Sequence, residues 1–312
     1  MKIRIKIVRL FLLAALQLGA AGGIHAAAFS GIFAFGDSLT DTGNTSLASG
    51  GASPGASYYA GRYSNGPVWI ERMAYYLGMP APASSLSGGS NFAFGGAYTA
   101  TGGSVPTLSQ QAGMFMGGGR TFQATDLVVV WAGANDFLLG GQADPRVPAG
   151  HVLGVISTLA GAGARNFLVP NLPDLGDTPA LLGTANAAAS SQWSRAFNTS
   201  LAMGISDLRV SLGVTLRELD VYGIGKSLKS NPGDFGFTNV TESALLSGNA
   251  ANASEYLYWD TVHPTARVHD IFGGGAAQLV PEPGVAWLVV MAGVAGCLRR
   301  RRVRGDLERS VA

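Results

Sequence analysis

The middle of this 312-residue chain predicts a doubly wound α/β protein: a parallel sheet with helices on both faces, three layers in all. Three observations carry that expectation. Short apolar runs bounded by Gly, Pro and Asn recur along the chain, as strands do. Stretches of helical length separate them, the order that winds a parallel sheet. One run, Leu127-Val128-Val129-Val130-Trp131 after Asp126, is apolar without a break, as in a strand covered on both faces.

The elements follow in order. Residues 32–35 form a first strand, which ends in Gly36-Asp37-Ser38. Residues 46–63 read as a Gly/Ser/Ala loop carrying Tyr58, Tyr59 and Tyr63. Pro67 opens a helix to about residue 77, because the first helical position needs no N–H partner; Trp69, Met73 and Tyr76 make its apolar stripe. Residues 91–94 are a short strand running into Gly95-Gly96. A helix over 107–116 stops at Gly117-Gly118-Gly119. Strand 126–131, helix 148–159, strand 166–169, helix 187–212 and strand 214–219 come next. A last helix starts near Thr265, after Pro264. No internal repeat and no second domain boundary interrupts the series.

Both ends read as targeting segments. Lys2, Arg4, Lys6 and Arg9 precede an apolar run from Leu10 to Ala21, and Ala26-Ala27-Ala28 offers small residues for cleavage. That is the pattern of a secretory signal peptide over 1–28. At the other end, 280–312, Val280-Pro281-Glu282-Pro283 leads into an apolar run to Leu298 and then Arg299, Arg300, Arg301, Arg302 and Arg304. The run is short for a full span, which takes about 17–25 residues. Arginine snorkelling and local thinning can make up the difference, with the arginines cytoplasmic and residues 29–279 outside.

The ends also carry the basicity. The whole chain has 21 Lys+Arg against 19 Asp+Glu. Without the two ends, 11 basic residues face 16 acidic ones, a net charge near −5. A basic partner-binding surface for nucleic acid is thereby excluded. The one cysteine, Cys297, lies in the tail, so residues 29–279 hold no disulfide and no thiol nucleophile.

The chemistry concentrates at four places. Ser38 ends the first strand, where open α/β sheets put their reacting groups. A serine hydroxyl needs a base. His263 in Asp260-Thr261-Val262-His263-Pro264 supplies one, and one turn sets the Asp260 carboxylate against its ring. His151 and His269 lack such a carboxylate neighbour. Donors for a developing oxyanion come from the Ser38 N–H, from a glycine N–H in Asn91-Phe92-Ala93-Phe94-Gly95-Gly96, and from the Asn135 side chain in Gly133-Ala134-Asn135-Asp136. Gly96 takes the glycine place by position, with Gly95 the alternative. No metal-ligand cluster and no cofactor motif is present, so the expected site works without either.

Phe33-Ala34-Phe35-Gly36-Asp37-Ser38-Leu39-Thr40-Asp41-Thr42-Gly43-Asn44 and the three later blocks resemble, in order, the motifs of the GDSL/SGNH family of serine ester hydrolases. Val169-Pro170-Asn171-Leu172-Pro173 and Asn231-Pro232 through Phe235-Gly236-Phe237 extend the likeness to about Ile271. The resemblance implies a flavodoxin-like SGNH fold. It makes Ser38 the nucleophile, Asp260 and His263 its partners, and Ser38, Gly96 and Asn135 the oxyanion hole. The stretch around 46–57 departs from the family as an insertion beside the nucleophile. The C-terminal segment resembles the PEP-CTERM sorting signal. That likeness implies an exosortase-type processing enzyme, transient membrane association and a final place at the cell surface or in the extracellular matrix. The substrate expected is an ester: a lipid, a small ester or an acylated polysaccharide, with acyl transfer as a variant. A catalytically silent surface or matrix-binding protein is the alternative of another class.

Overall fold

A computed structural model describes residues 29–280. The leader reading and, apart from Val280, the tail reading lie outside these residues. Among the described residues no helix is long and apolar enough to cross a membrane.

Four parallel strands, β1 (Ile32–Gly36), β2 (Leu127–Trp131), β3 (Asn166–Pro170) and β4 (Thr215–Leu219), make the main sheet in that order. Residues 91–94 run along the free edge of β1. Ala34 donates its N–H to the Ser90 carbonyl (3.0 Å), while Phe92 and Phe94 donate theirs to Ala34 (2.7 Å) and Gly36 (3.2 Å). The second extended segment of the chain therefore lies on one side of β1 and the third, β2, on the other. The winding reverses at that point, and such a reversal opens a crevice at the carboxyl ends of the strands.

Helices α1 (Asn44–Ala48), α2 (Trp69–Tyr76), α3 (Leu108–Gly117), α4 (Ala134–Leu138), α5 (Arg146–Gly161), α6 (Ala187–Leu212), α7 (Val221–Ser230) and α8 (Ala266–Leu279) connect and cover the strands. Alternate strand residues point to opposite faces. Phe33 and Phe35 accordingly meet Phe115 of α3 edge-on, at 5.5 and 6.0 Å between ring centres. Trp131 meets Trp69 of α2 at 5.3 Å and Phe272 of α8 at 6.2 Å. Helix α5 packs on α6 and α2 on α8, which gives the three layers expected. A small second sheet pairs β5 (Asn239–Ser243) with β6 (Tyr256–Tyr258) in parallel.

Most expected elements form within two residues of their expected bounds. Thr107 caps α3 reciprocally: its hydroxyl accepts the Gln110 N–H (3.3 Å) and the Gln110 side chain accepts the Thr107 N–H (2.9 Å). Helix α5 starts at Arg146 rather than Pro148 because Asp144 accepts the Arg146 N–H at 3.0 Å; Pro148 then sits in the first turn, where its missing donor costs nothing. The loop expected over 46–63 is partly ordered into α1 and a single turn at Tyr59–Gly61. Helices α4 and α7 and the β5–β6 pair were not foreseen. Helix α4 and the two strands are too short for periodicity to act on, and Gly223 and Gly225 mask the apolar stripe of α7.

Gly36 closes β1 under tight constraint. Its N–H donates to Gln111 Oε1 and its carbonyl accepts from Gln111 Nε2, both at 2.8 Å. A Cβ on Gly36 would collide with the Trp131 carbonyl, which is backbone and cannot yield. Gly36→Ala is expected to destabilise the fold by about 1–3 kcal/mol, the usual cost of overpacking. Urea unfolding checks this, and a variant as stable as the parent would show that β1 and β2 can separate freely at this level.

Candidate active site

The chain turns sharply after β1. The Asp37 carbonyl accepts the N–H groups of Thr40 and Asp41, both at 3.0 Å, and this curl presents Ser38 at the crevice. The Asp260–His263 segment leaves β6 and is closed by the Trp259 N–H donating to the His263 carbonyl at 2.8 Å. Ser38 Oγ–H donates to His263 Nε2 (2.8 Å), and His263 Nδ1–H donates to Asp260 Oδ2 (2.6 Å). The other Asp260 oxygen accepts the N–H groups of Val262 (2.9 Å) and His263 (2.7 Å). Burial alone would raise the Asp260 carboxyl. The hydrogen bond and charge of His263 and the two N–H donors outweigh it, and the group is held at about 2. An ionised Asp260 fixes the ring with its proton on Nδ1 and leaves Nε2 to accept from Ser38.

The donors expected for an oxyanion face the same space. Ser38, Gly96, Asn135 and His263 all line one cleft of about 740 Å³. The Gly95 N–H is already committed, to Asp41 Oδ2 (3.0 Å) and Thr45 Oγ1 (2.7 Å). The N–H groups of Ser38 and Gly96 have no partner among the described residues. Of the two glycines, only Gly96 therefore has a donor to offer. Asn135 opens α4 and commits one amide hydrogen to the Ala97 carbonyl at 3.1 Å, keeping the second for a ligand. The other two histidines among the described residues are occupied elsewhere. His151 Nδ1 meets Thr99 Oγ1 at 3.0 Å. His269 is fully buried and accepts the Trp69 N–H at 3.1 Å; burial, with a smaller contribution from His263, lowers it to about 3.

Residues 32–273 match the model of the GDSL-like lipase/acylhydrolase family. The chain belongs to that family. It is a hydrolase of ester bonds. A phosphatidylcholine-sterol acyltransferase from Aeromonas hydrophila is 33% identical over 81% of this chain and 90% of its own length. A thermolabile hemolysin from Vibrio parahaemolyticus is 26% identical over 76% of this chain and 60% of its own length. Among solved structures, Est24, a carbohydrate acetylesterase from Sinorhizobium meliloti, is 18% identical over 83% of this chain and 99% of its own, with a TM-score of 0.47.

In this GDSL chain several residues that build the site escaped the sequence reading. Asp41 accepts four N–H groups: Gly43 (2.7 Å) and Asn44 (2.6 Å) on one oxygen, Thr45 (3.1 Å) and Gly95 (3.0 Å) on the other. It thereby ties the nucleophile loop to the Gly95-Gly96 turn. The Asp41-Thr42-Gly43 spacing is a legible Asx-turn signal. Asn44 Nδ2 donates to the carbonyls of Asn91 and Ala93, both at 2.8 Å, and Asn91 Nδ2 donates to Thr40 at 2.7 Å. Tyr63 lines the cleft. Tyr58 does not: its hydroxyl donates to Asp260 Oδ2 at 2.7 Å. Tyr59 is exposed.

Two carboxyls give the fold opposite pH dependences. Asp37 is pushed up to about 7, first by burial and also by Asp136; the Leu39 N–H and the charge of His263 pull the other way only in part. Its folded value lies above the ordinary 3.8, so its contribution is fully present below 3.8 and is lost as pH rises through 7. Asp136 is raised by burial too and has the same sign. Asp260 lies below the ordinary value, so its contribution is present above 3.8 and lost as pH falls through about 2. His269, lowered to about 3, has the opposite sign to Asp37 up to its ordinary value of 6.5 and offsets it, so the Asp37 contribution is read from a difference: the midpoint of Asp37→Asn in thermal unfolding should rise relative to the parent as pH goes from about 4.5 to 7. A difference between the two proteins that stays constant over that range would contradict the buried state assigned to Asp37.

Proposed function

We propose that this chain is an exported serine ester hydrolase acting through an acyl-enzyme on Ser38. The observation that carries the proposal is the unbroken hydrogen-bond chain Asp260–His263–Ser38 opening on a cleft with unused N–H donors. Ser38 Oγ attacks the ester carbonyl carbon while its proton passes to His263 Nε2. The carbonyl oxygen becomes an oxyanion held by the N–H groups of Ser38 and Gly96 and by Asn135 Nδ2. The ionised Asp260 stabilises the imidazolium without taking its proton. Collapse of the intermediate breaks the bond to the alcohol oxygen, which leaves with the proton from Nε2. Water then adds to the acyl group by the same route, and Ser38 and the free acid are restored.

Ala48, Val105, Leu138, Leu139, Leu181 and Val262 give the cleft walls an apolar character, which suits the acyl chain of a lipid or small ester. The likeness to a phosphatidylcholine-sterol acyltransferase favours a second reading in which an acceptor alcohol replaces water. Export rests on the leader and on the Val-Pro-Glu-Pro, apolar and arginine-rich tail. In this reading an exosortase-type enzyme processes that tail after transient membrane association, and an acylated surface polysaccharide is then within reach as substrate.

The full chain should cleave p-nitrophenyl esters, with turnover changing along a chain-length series. Ser38→Ala should lose about 10⁴-fold or more and Asn135→Ala about 10²–10³-fold. Asp260→Asn should lose less than His263→Ala. Adding a long-chain alcohol separates the two readings, because ester product marks transfer and free acid marks hydrolysis. Failure to cleave any chain length, with acetate released from an acetylated polymer, would replace the lipid reading with polysaccharide deacylation.

A further inference from the structure

We propose that Tyr58, in the loop that follows the nucleophile, is a positioning residue for the Asp260–His263 pair. The inference rests on the serine-hydrolase reading above. Tyr58 donates its hydroxyl to Asp260 Oδ2 at 2.7 Å, the oxygen that also receives His263 Nδ1–H at 2.6 Å. Asp260 Oδ1 meanwhile accepts two N–H groups. A carboxylate has about four acceptor positions, so Tyr58 fills the last and, with the other three bonds, fixes the group about its bond to Cβ. The phenol can only donate here. Asp260 is ionised, and burial together with that neighbouring carboxylate keeps Tyr58 protonated at every ordinary pH.

The ring is as constrained as the hydroxyl. Tyr58 packs on the cluster of Ala244, Ala253 and Trp259 beneath the small sheet and meets Trp259 edge-on at 6.3 Å. Trp259 directly precedes Asp260. The loop is thereby pinned to the turn that carries the acid. Its neighbour Tyr63 lies 5.1 Å from the His263 ring, centre to centre, and is held by Ser53 at 2.9 Å. The Tyr63 ring also occupies the space where a side chain on Gly95 would stand, next to the free Gly96 donor. One loop therefore touches the acid, the base and the oxyanion turn. Tyr58 also draws part of the Asp260 charge toward its own proton. Without it, three bonds instead of four hold the acid, and more of its charge falls on the Nδ1–H bond of His263.

The test is Tyr58→Phe in the full chain, which keeps the ring and removes the hydroxyl. With one p-nitrophenyl ester, kcat should fall about tenfold with KM unchanged, the scale that one charge-assisted hydrogen bond can carry. The proton NMR signal of His263 Nδ1–H should move downfield. Tyr76→Phe removes the same kind of bond, to Asp270 at 2.9 Å, away from the cleft, and should keep parental kcat. Parental kcat in Tyr58→Phe, a loss carried in KM alone, an unmoved Nδ1–H signal, or an equal loss in Tyr76→Phe would each overturn the role. Full activity in Ser38→Ala would instead sink the serine-hydrolase reading itself.

Discussion

The hydrogen bond between Ser38 and His263, 2.8 Å long, joins residues 225 apart in the chain. It spans the molecule from the end of β1 to the loop after β6. A reacting pair must be held within a few tenths of an ångström to be productive. The architecture can be understood as what that tolerance requires. The β1–β2 ladder fixes where Ser38 emerges. The small β5–β6 sheet and the closure of Trp259 onto His263 fix where the ring stands.

Around this bond the protein buries several polar side chains beside the nucleophile: Asp37, Asp41, Asn44, Asn91 and Gln111. Buried polar groups are costly unless they are paired. Asp41, Asn44, Asn91 and Gln111 repay that cost by bonding backbone groups of separate segments. These side chains do the work of a strand ladder where the chain is too irregular for one. The edge segment 91–94 shows the same economy. It is held to β1 by a few backbone bonds and to the nucleophile loop by Asn44 and Asn91, so the Gly95-Gly96 turn moves with Ser38.

Strands β1, β2 and β3 were legible because they are short, apolar and bounded by turn residues; β4, which carries Arg217 and Glu218, was legible from its place after a long helix. Ser38, Asp260 and His263 were legible because acid, base and nucleophile leave local signatures: a strand end, and a carboxylate three residues before a histidine. Gly96 was less so, because two adjacent glycines look alike until Asp41 and Thr45 are seen to take the Gly95 donor. Tyr58 could not be read at all. Its partner lies 202 residues away, and a tyrosine in a Gly/Ser loop carries no mark of what it touches. Helix α7 was missed because Gly223 and Gly225 lower its helix propensity and mask the stripe of Val221, Ile224 and Leu228, and the strands of the second sheet are too short to show a pattern.

A crystal structure of the protein covalently labelled with an alkyl fluorophosphonate would test the central claim most directly. The expected result is phosphorus bonded to Ser38 Oγ, with one phosphoryl oxygen about 2.7–3.1 Å from the N–H groups of Ser38 and Gly96 and from Asn135 Nδ2. The alkyl chain should lie along Leu138, Leu139 and Leu181. Label on another serine, or a phosphoryl oxygen turned away from Gly96 and Asn135, would contradict the account.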